Sequence, residues 1–205
     1  NYKEKEILDN ENNFIESILS KSLFEKEKRA EDVAGYFQDL NGDGHQDLIV
    51  ASGSIEFPVY DLAYQDRIYI NDGLGNFKQI ISPFPSTPTA FILTEDLDQD
   101  GDLDLFVAGR ILPGNYPNIQ VRSYLLKNEG GKFIDATESD APALFMPGLI
   151  CEAIFTDYNN DNKPDLMLVG EYTPIIFMKN TGGKFEFVSK ETKTFDRSGW
   201  FNSIC

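Results

Sequence analysis

Short apolar stretches separated by polar turns run along most of the chain. Stretches such as LIVAS from Leu48, LDLFVAG from Leu103 and LMLVG from Leu166 are rich in β-branched and aromatic residues. Others, such as AGYFQD and TAFILTED, partly alternate apolar with polar positions. Stretches of this length and composition are typical of β-strands and not of amphipathic helices. The pattern therefore predicts an all-β protein.

The predicted strands recur three times in one order. An apolar stretch precedes an acidic nine-residue window, a second stretch follows it, and a third leads through an Asn-x-Gly type turn into a strand that begins with Phe. We label these strands A to D, so that each window joins A to B and each turn joins C to D. The windows begin at Asp39, Asp96 and Asp157, which lie 57 and 61 residues apart. Four strands at this period favour the blades of a β-propeller.

We therefore predict a β-propeller built from four-stranded antiparallel blades, of which about three are present. EILDNENNF resembles strands C and D of a preceding blade, and SGWFNSIC resembles the start of another strand A. The predicted units are part of a preceding blade at 1–30, blades at 31–85, 86–140 and 141–192, and the start of a further blade at 193–205. A two-sheet sandwich is the alternative fold, but it gives no reason for three aligned acidic windows.

The windows DLNGDGHQD, DLDQDGDLD and DYNNDNKPD carry a net −10 of the formal charge of −16. Carboxylates crowded this closely repel one another unless a cation neutralises them. All three fit D-x-[DN]-x-[DN]-[GN]-x-x-D, which provides side-chain oxygens at places one, three, five and nine and a backbone carbonyl at place seven. The predicted ligands are Asp39, Asn41, Asp43, His45 and Asp47; Asp96, Asp98, Asp100, Asp102 and Asp104; and Asp157, Asn159, Asp161, Lys163 and Asp165, with His45, Asp102 and Lys163 contributing their carbonyls.

Ligands that are all oxygen favour a hard cation. Ca²⁺ accepts about six to eight oxygens in a flexible shell, whereas Mg²⁺ prefers octahedral sites that keep several waters, so we predict up to three Ca²⁺ ions. Place six holds Gly44, Gly101 and Asn162, residue types that tolerate the left-handed backbone of a tight turn. The third site is expected to be the weakest, because it has fewer carboxylates than the second and contains Lys163. Solvated acidic turns without an ion are the alternative.

The windows differ from an EF-hand, which needs a bidentate Glu at place twelve and a helix on each side. Place twelve is Val50, Val107 and Leu168, and the flanking segments have the pattern of strands. Nucleic acid is excluded as a partner, because an acidic chain repels a phosphate backbone. No apolar run approaches the length of about 18 residues that spans a bilayer, so no membrane insertion is expected. Cys151 and Cys205 are interpreted as small apolar residues, with a disulfide between them as the alternative.

The stretches DLNGDGHQDLIVASG, QDRIYINDGLGNF, DLDQDGDLDLFVAGRILPGNYP, SYLLKNEGGKF and GWFNSI resemble the FG-GAP/VCBS repeat proteins. That family includes integrin α-subunit propellers, and the similarity extends to bacterial VCBS-repeat proteins related to cartilage acidic protein that carry ASPIC/UnbV-type regions. The family's Phe-Gly and Gly-Ala-Pro signatures are replaced here by VASG, VAG and LVG. The resemblance implies a propeller with Ca²⁺ in its A to B loops. It also implies a secreted, periplasmic or cell-surface protein that serves in adhesion or as a scaffold.

The chain is accordingly predicted to be a non-enzymatic binding scaffold with a protein or carbohydrate ligand. The alternative is the propeller part of a carbohydrate-active enzyme, such as a Ca²⁺-dependent polysaccharide lyase. His45, the one histidine, lies at a carbonyl-donating place of the first window, and the clustered carboxylates are already accounted for as metal ligands. No Ser/His or Cys/His set suggests a nucleophile.

The connections between strands B and C differ in length between the units. Insertions in the first and second units, over 54–67 and 110–122, add aromatic and Arg side chains to an acidic protein. These are residue types that dominate binding hot spots, and loops on a rigid scaffold often bind partners. Tyr60, Tyr64, Arg110 and Tyr116 are predicted to form part of a partner surface on the face away from the metal. Loops that only cap the fold are the alternative.

Overall fold

A computed structural model describes residues 28–117, 121–189 and 198–204 of the chain. Its strands form three antiparallel sheets that follow one another along the sequence, which confirms the all-β prediction. The first sheet contains β1 (Asp32–Gln38), β2 (Asp47–Ser52), β3 (Arg67–Asn71) and β4 (Phe77–Gln79). The second contains β5 (Thr89–Glu95), β6 (Asp104–Gly109), β7 (Tyr124–Glu129) and β8 (Lys132–Asp135). The third contains β9 (Leu149–Thr156), β10 (Asp165–Thr173), β11 (Ile176–Asn180), β12 (Phe185–Phe187) and β13 (Gly199–Trp200).

Each sheet has the predicted order A-B-C-D, with every strand antiparallel to the next along the chain. The acidic windows therefore lie at the same end of each sheet as the C to D turns, and the B to C connections lie at the opposite end. These connections cover 53–66 and 110–123 in the first two sheets but only 174–175 in the third. The predicted difference in loop length is confirmed.

The predicted start of a further blade at 193–205 stays a prediction. Among its described residues, β13 pairs with the far end of β10, where Trp200 lies opposite Glu171, and so extends the third sheet. The reason is the length of β10, whose last residues run beyond the part of the strand that pairs with β11. The strands expected within 1–30 fall almost entirely on residues 1–27, which lie outside the described part of the chain, as does Cys205.

The core consists mainly of two apolar layers, one on each side of the second sheet. Leu105 and Val107 of β6 pack toward the first sheet, together with Ile49 and Ile68. The alternate β6 residue Phe106 packs toward the third sheet, in a cluster that includes several side chains of β10 and β11. Since both faces of β6 are covered, the strand is a continuous apolar run and does not alternate with polar residues.

Short helical turns occupy part of the connection between β8 and β9. Helix α1 (Thr137–Asp140) leads into a 3₁₀ turn at Pro142–Phe145, whose Leu144 is fully buried against the third sheet. The sequence pattern did not predict α1, because four residues are too few to show a helical period. None of the described helices has the length or apolar character needed to cross a membrane.

A buried carboxyl group joins the first two sheets at the end away from the acidic windows. Asp66 accepts hydrogen bonds from the Ser52 backbone N–H at 2.7 Å and from the Thr89 hydroxyl of β5 at 2.6 Å. Burial raises the pKa of Asp66 to about 7, although both hydrogen bonds and the nearby Arg67 act in the opposite direction. Asp66 therefore stays largely protonated in the folded protein at weakly acidic pH.

Replacing Asp66 with Asn should remove part of the pH dependence of folding. In the wild type, Asp66 binds its proton more tightly in the folded state, so its contribution to the free energy of unfolding falls as the pH rises from about 4 to 7. Asn can accept the same bond from Ser52 and donate to Thr89 without a charge. Denaturant unfolding at pH 5 and pH 8 should show D66N gaining stability relative to the wild type at the higher pH. An identical pH dependence in both proteins would contradict this assignment.

Candidate metal loops

Each acidic window forms a loop between strand A and strand B of its sheet. Place six adopts the predicted left-handed conformation, with φ of 86° at Gly44, 98° at Gly101 and 61° at Asn162. Place four is also left-handed, at Gly42, Gln99 and Asn160. The three loops therefore share one backbone path, which wraps the loop around its own side-chain oxygens.

The aspartate at place one fixes this path from inside the loop. Its two carboxylate oxygens accept the backbone N–H groups of places five and six. In the second loop, Asp100 and Gly101 donate to Asp96, each at 3.1 Å. Asp39 and Asp157 accept the corresponding pairs in the other two loops. The turn is thereby closed on a carboxylate that is also a predicted ligand.

The aspartate at place five caps the backbone N–H of place seven. Asp43 accepts from His45 at 2.9 Å, and the same bond recurs at Asp100 and Asp161. The backbone bond from His45 and the side-chain bond from Asn41 lower the pKa of Asp43, so this exposed carboxyl is ionised at neutral pH. Place five therefore holds a carboxyl group in the same position of each loop.

The aspartate at place nine is buried and ties the loop to strand C. Asp104 accepts the Asn128 backbone N–H at 2.8 Å with one oxygen and the Leu97 N–H at 3.1 Å with the other. Asp47 and Asp165 likewise each accept a strand C backbone N–H. Burial raises the pKa of Asp104 to about 6, and the neighbouring Asp98 and Asp100 charges act in the same direction. Burial also raises the pKa of Asp47 and Asp165.

Acidic oxygens converge in two of the three loops. Asp96, Asp98 and Asp100 each place an oxygen within 4.8 Å of the others, and so do Asp157, Asp161 and Asp165. In the second loop, Oδ1 of Asp98 is buried and has no hydrogen-bond partner in the described structure. A buried carboxylate oxygen without a donor is costly unless a cation meets it. The donor set of this loop therefore fits a hard divalent cation.

The first loop differs from the other two, although it shares an Asn at place three with the third loop. Among the described residues, its carboxylates do not form a comparable group of three. The amide nitrogen of Asn41 donates to Asp43 at 3.0 Å, and that of Asn159 in the third loop donates to Asp165 at 2.7 Å. The side chain of His45 packs against Gly73 in the C to D turn, and Asp102 accepts the Gly130 N–H at 2.7 Å. Ligation by the carbonyls of His45, Asp102 and Lys163 stays a prediction.

The asparagine near the end of strand C links neighbouring sheets. The sequence pattern had placed it only in a turn. Asn128 is buried and donates to the Leu103 carbonyl of its own loop at 3.1 Å and to the Leu40 carbonyl of the first loop at 2.7 Å. Asn180 does the same with Pro164 and with Leu97 of the second loop. Each of these asparagines thus fastens a sheet to the acidic loop of the preceding sheet.

Other contacts strengthen the joint between the second loop and the third sheet. The side-chain amide of Gln99 donates to the Asn162 carbonyl at 2.8 Å, which connects the second loop directly to the third. Gly183 in the C to D turn of the third sheet lies so close to the second loop that a Cβ atom there would be 2.7 Å from Asp98 Cβ. The acidic loops therefore lie at the interfaces between consecutive sheets.

Two lysines approach the loops from strand C. Lys127 lies 3.3 Å from Asp98 and 3.1 Å from Asp140 of α1, and Lys179 lies 3.6 Å from Asp161. Burial alone would lower the pKa of Lys127, but the Asp140 and Asp98 carboxylates outweigh it and raise that pKa. Lys127 is therefore charged beside the predicted metal ligands of the second loop.

The predicted partner residues lie at the opposite end of the sheets and differ in exposure. Tyr60 is 73% exposed. Arg110 donates to the buried Glu171 at 2.5 Å, and the Tyr116 hydroxyl donates to the same carboxylate at 3.0 Å. Arg110, Tyr116 and Glu171 line part of a cavity of about 270 Å³. A buried acid on β10 thus holds two residues of the second insertion together.

Tyr64 requires a correction. It is fully buried, and its hydroxyl bonds to the backbone N–H and carbonyl of Phe57 at 2.7 and 2.8 Å. The sequence pattern could not distinguish an aromatic side chain that is exposed on the surface from one that is buried beneath its own loop. Tyr64 therefore fastens the first insertion and is not part of a partner surface.

Comparison with protein families gives a match to the FG-GAP-like repeat over residues 39–107, from the first acidic loop through most of β6. This match supports the resemblance to FG-GAP repeats that the sequence pattern indicated. A search of curated proteins gave no significant match.

Asn128→Ala should destabilise the protein more than Asn71→Ala, which serves as its matched control. Both asparagines donate to a carbonyl of their own loop and accept a glycine N–H in the C to D turn, but Asn128 also holds the buried Leu40 carbonyl. Leaving that buried carbonyl unpaired should bring the loss for N128A to about 2–3 kcal/mol, against about 1 kcal/mol for N71A. Denaturant unfolding measures both, and equal losses would show that the joint contributes nothing to stability.

Proposed function

We propose that the chain is a non-enzymatic, calcium-binding FG-GAP/VCBS-type repeat domain that acts as a binding scaffold. The observation that carries the proposal is the threefold repetition of one loop geometry, with acidic oxygens converging in the second and third loops. The unpartnered buried Oδ1 of Asp98 indicates a cation more directly than acidity alone. The match over residues 39–107 supports the same conclusion.

In the proposed sites, side-chain oxygens at places one, three, five and nine and the carbonyl at place seven would hold Ca²⁺. The ion would supply positive charge to carboxylates that otherwise repel one another. The protein itself provides the closed loop, because the place-one and place-nine aspartates are already fixed by backbone N–H groups. Calcium would therefore stabilise a preformed turn and, through Asn128 and Asn180, the contacts between sheets.

We further propose that the three sheets are consecutive blades of a β-propeller. The strands at position A lie next to one another, since β5 contacts both β1 and β9. Apolar clusters fill the space between consecutive sheets, and the second sheet is covered on both faces. This arrangement is expected where blades surround a common axis with strand A innermost.

The proposed compartment is extracellular, periplasmic or the cell surface. Extracellular calcium modules with oxygen ligands bind with Kd values on the order of 10⁻⁴ to 10⁻³ M, so they fill only where calcium is plentiful. The first and third loops have Asn41 and Asn159 in place of a carboxylate at place three, and the third adds Lys163, which fits this weak range better than the range of a cytosolic sensor. The partner would be a protein or a carbohydrate.

Calcium should raise the stability of the chain, and chelation should lower it. At about 10 mM free Ca²⁺ each site should add about 1.4–2.7 kcal/mol, given the affinity expected for such modules. Asp100→Asn replaces a charged predicted ligand with a neutral amide oxygen and should reduce this gain. Asp102→Asn is the matched control, because it removes the same charge from the same loop but leaves the predicted carbonyl ligand in place. Thermal unfolding in calcium and in EGTA measures each effect.

The proposal fails if calcium leaves the unfolding curve of the wild type unchanged. It is weakened at the second loop if D100N and D102N lose the same part of the calcium response, since only the total charge would then count. Calcium titration should also fill the third site last, because Lys163 and Lys179 bring positive charge to it.

The exposed part of the proposed partner surface is Tyr60, Arg110 and Tyr116. Alanine at these positions should weaken, by about tenfold or more at a true hot spot, the binding of any glycan or protein probe that the wild type retains in an array screen. Tyr64→Phe is the control, because loss of its two backbone bonds should lower stability without altering the exposed side chains. If Y60A and Y116A bind the probe like the wild type, the partner surface lies elsewhere.

A further inference from the structure

One position on strand C faces the acidic loop of its own sheet and differs between the three sheets. It directly precedes the asparagine that ends strand C and is occupied by Ile70, Lys127 and Lys179. The strand pairings place these residues in the same register, opposite Lys78, Ile134 and Glu186 of strand D. The three sheets therefore have either Ile or Lys at one structurally equivalent position.

Lys127 occupies a defined place between two carboxylates. Its ammonium group lies 3.3 Å from Oδ2 of Asp98 and 3.1 Å from Oδ2 of Asp140, and its side chain is only 21% exposed. The other oxygen of Asp98, Oδ1, is the buried atom without a partner among the described residues. Asp98 thus gives one oxygen to a lysine, while its other oxygen has no hydrogen-bond donor among the described residues.

Lys179 repeats the arrangement in the third sheet more loosely. Its ammonium group lies 3.6 Å from Oδ2 of Asp161 and its side chain is 39% exposed. Ile70 places an apolar side chain at this position in the first sheet, where it packs against the core cluster between the first two sheets. Strand C therefore brings a positive charge to the second and third loops and none to the first.

Two effects of such a lysine on a divalent cation oppose each other. The lysine can hold a ligand carboxylate in place, which favours binding, but its charge repels the incoming ion. A full charge about 6 Å from a divalent ion changes binding by about tenfold even at a dielectric constant close to that of water. Freeing one carboxylate rotamer costs less than that. Repulsion should therefore dominate.

We propose that Lys127 and Lys179 are built-in counter-ions that stabilise their loops without metal and lower the calcium affinity of those loops. The proposal rests on the calcium sites of the proposed function. It means that residues of strand C, and not only the ligands in the loops, influence calcium affinity. The first loop, with Ile70, lacks this counter-ion.

A counter-ion has a signature that a purely structural lysine does not share. Replacing Lys127 with Met should lower stability in EGTA, because Asp98 loses its neutralising charge and Asp140 keeps only Lys184, at 3.8 Å. The same substitution should tighten calcium binding at the second loop by roughly tenfold, because the repulsion is removed. A lysine needed only for packing would lower stability and leave affinity unchanged or weaker.

The experiment is calorimetric titration of the 205-residue chain with calcium, one loop at a time. Asp43→Ala and Asp161→Ala remove the place-five ligand and disable the first and third loops so that the second can be measured alone, and equivalent pairs isolate the others. K127M and K179M should tighten their own loops, with a smaller change at the more exposed Lys179. I70K should weaken the first loop by a similar factor. Lys127→Arg, which keeps the charge, should bind like the wild type.

The controls separate this proposal from the proposed function. Lys78→Met removes an exposed lysine from strand D and should leave affinity unchanged. If the wild type takes up no calcium, the calcium sites themselves are wrong. If the wild type binds calcium but K127M and K179M bind with the same or lower affinity, the sites stand and the counter-ion proposal is overturned. If K127M does not fold, K179M and I70K still decide the question.

Discussion

The buried aspartate at the end of each acidic loop is the constraint on which the rest of the structure depends. Asp47, Asp104 and Asp165 enter the core as carboxylates, and each satisfies its oxygens with donors from two directions. One bond closes the loop and the other fixes strand C beside strand B. Burial raises the pKa of all three, so the fold keeps these acids only because the surrounding donors, and in our account a cation, oppose that penalty.

The joints between sheets follow from the same loops. Asn128 and Asn180 each reach back to a carbonyl of the preceding loop, so the geometry of one acidic loop sets the position of the next sheet. Lysines neutralise part of the negative charge at these joints, and we propose that calcium neutralises the rest. A single element therefore closes the turn, aligns the sheets and creates the candidate site, while the insertions at the opposite end remain available for a partner.

Much of this organisation could be predicted from the sequence, because it repeats. The strand order, the loop bounds and the left-handed place six follow from local patterns that depend only on neighbouring residues. Contacts between distant residues could not be predicted: Asn128 looks like an ordinary turn asparagine until Leu40, far away in sequence, is placed beside it. Tyr64 was misassigned, and the pairing of β13 with β10 was not foreseen, for the same reason: folding back on a loop and pairing with an overhanging strand are decided by tertiary packing.

A crystal structure of the chain grown with calcium tests the central claim most directly. Our account predicts one ion in each loop, with oxygens from places one, three, five, seven and nine about 2.3–2.6 Å from it, and an ion close to Oδ1 of Asp98. Lys127 should remain beside Oδ2 of the same carboxylate. Loops that hold only water at calcium concentrations well above 1 mM, with Asp98 turned toward solvent, would contradict the account.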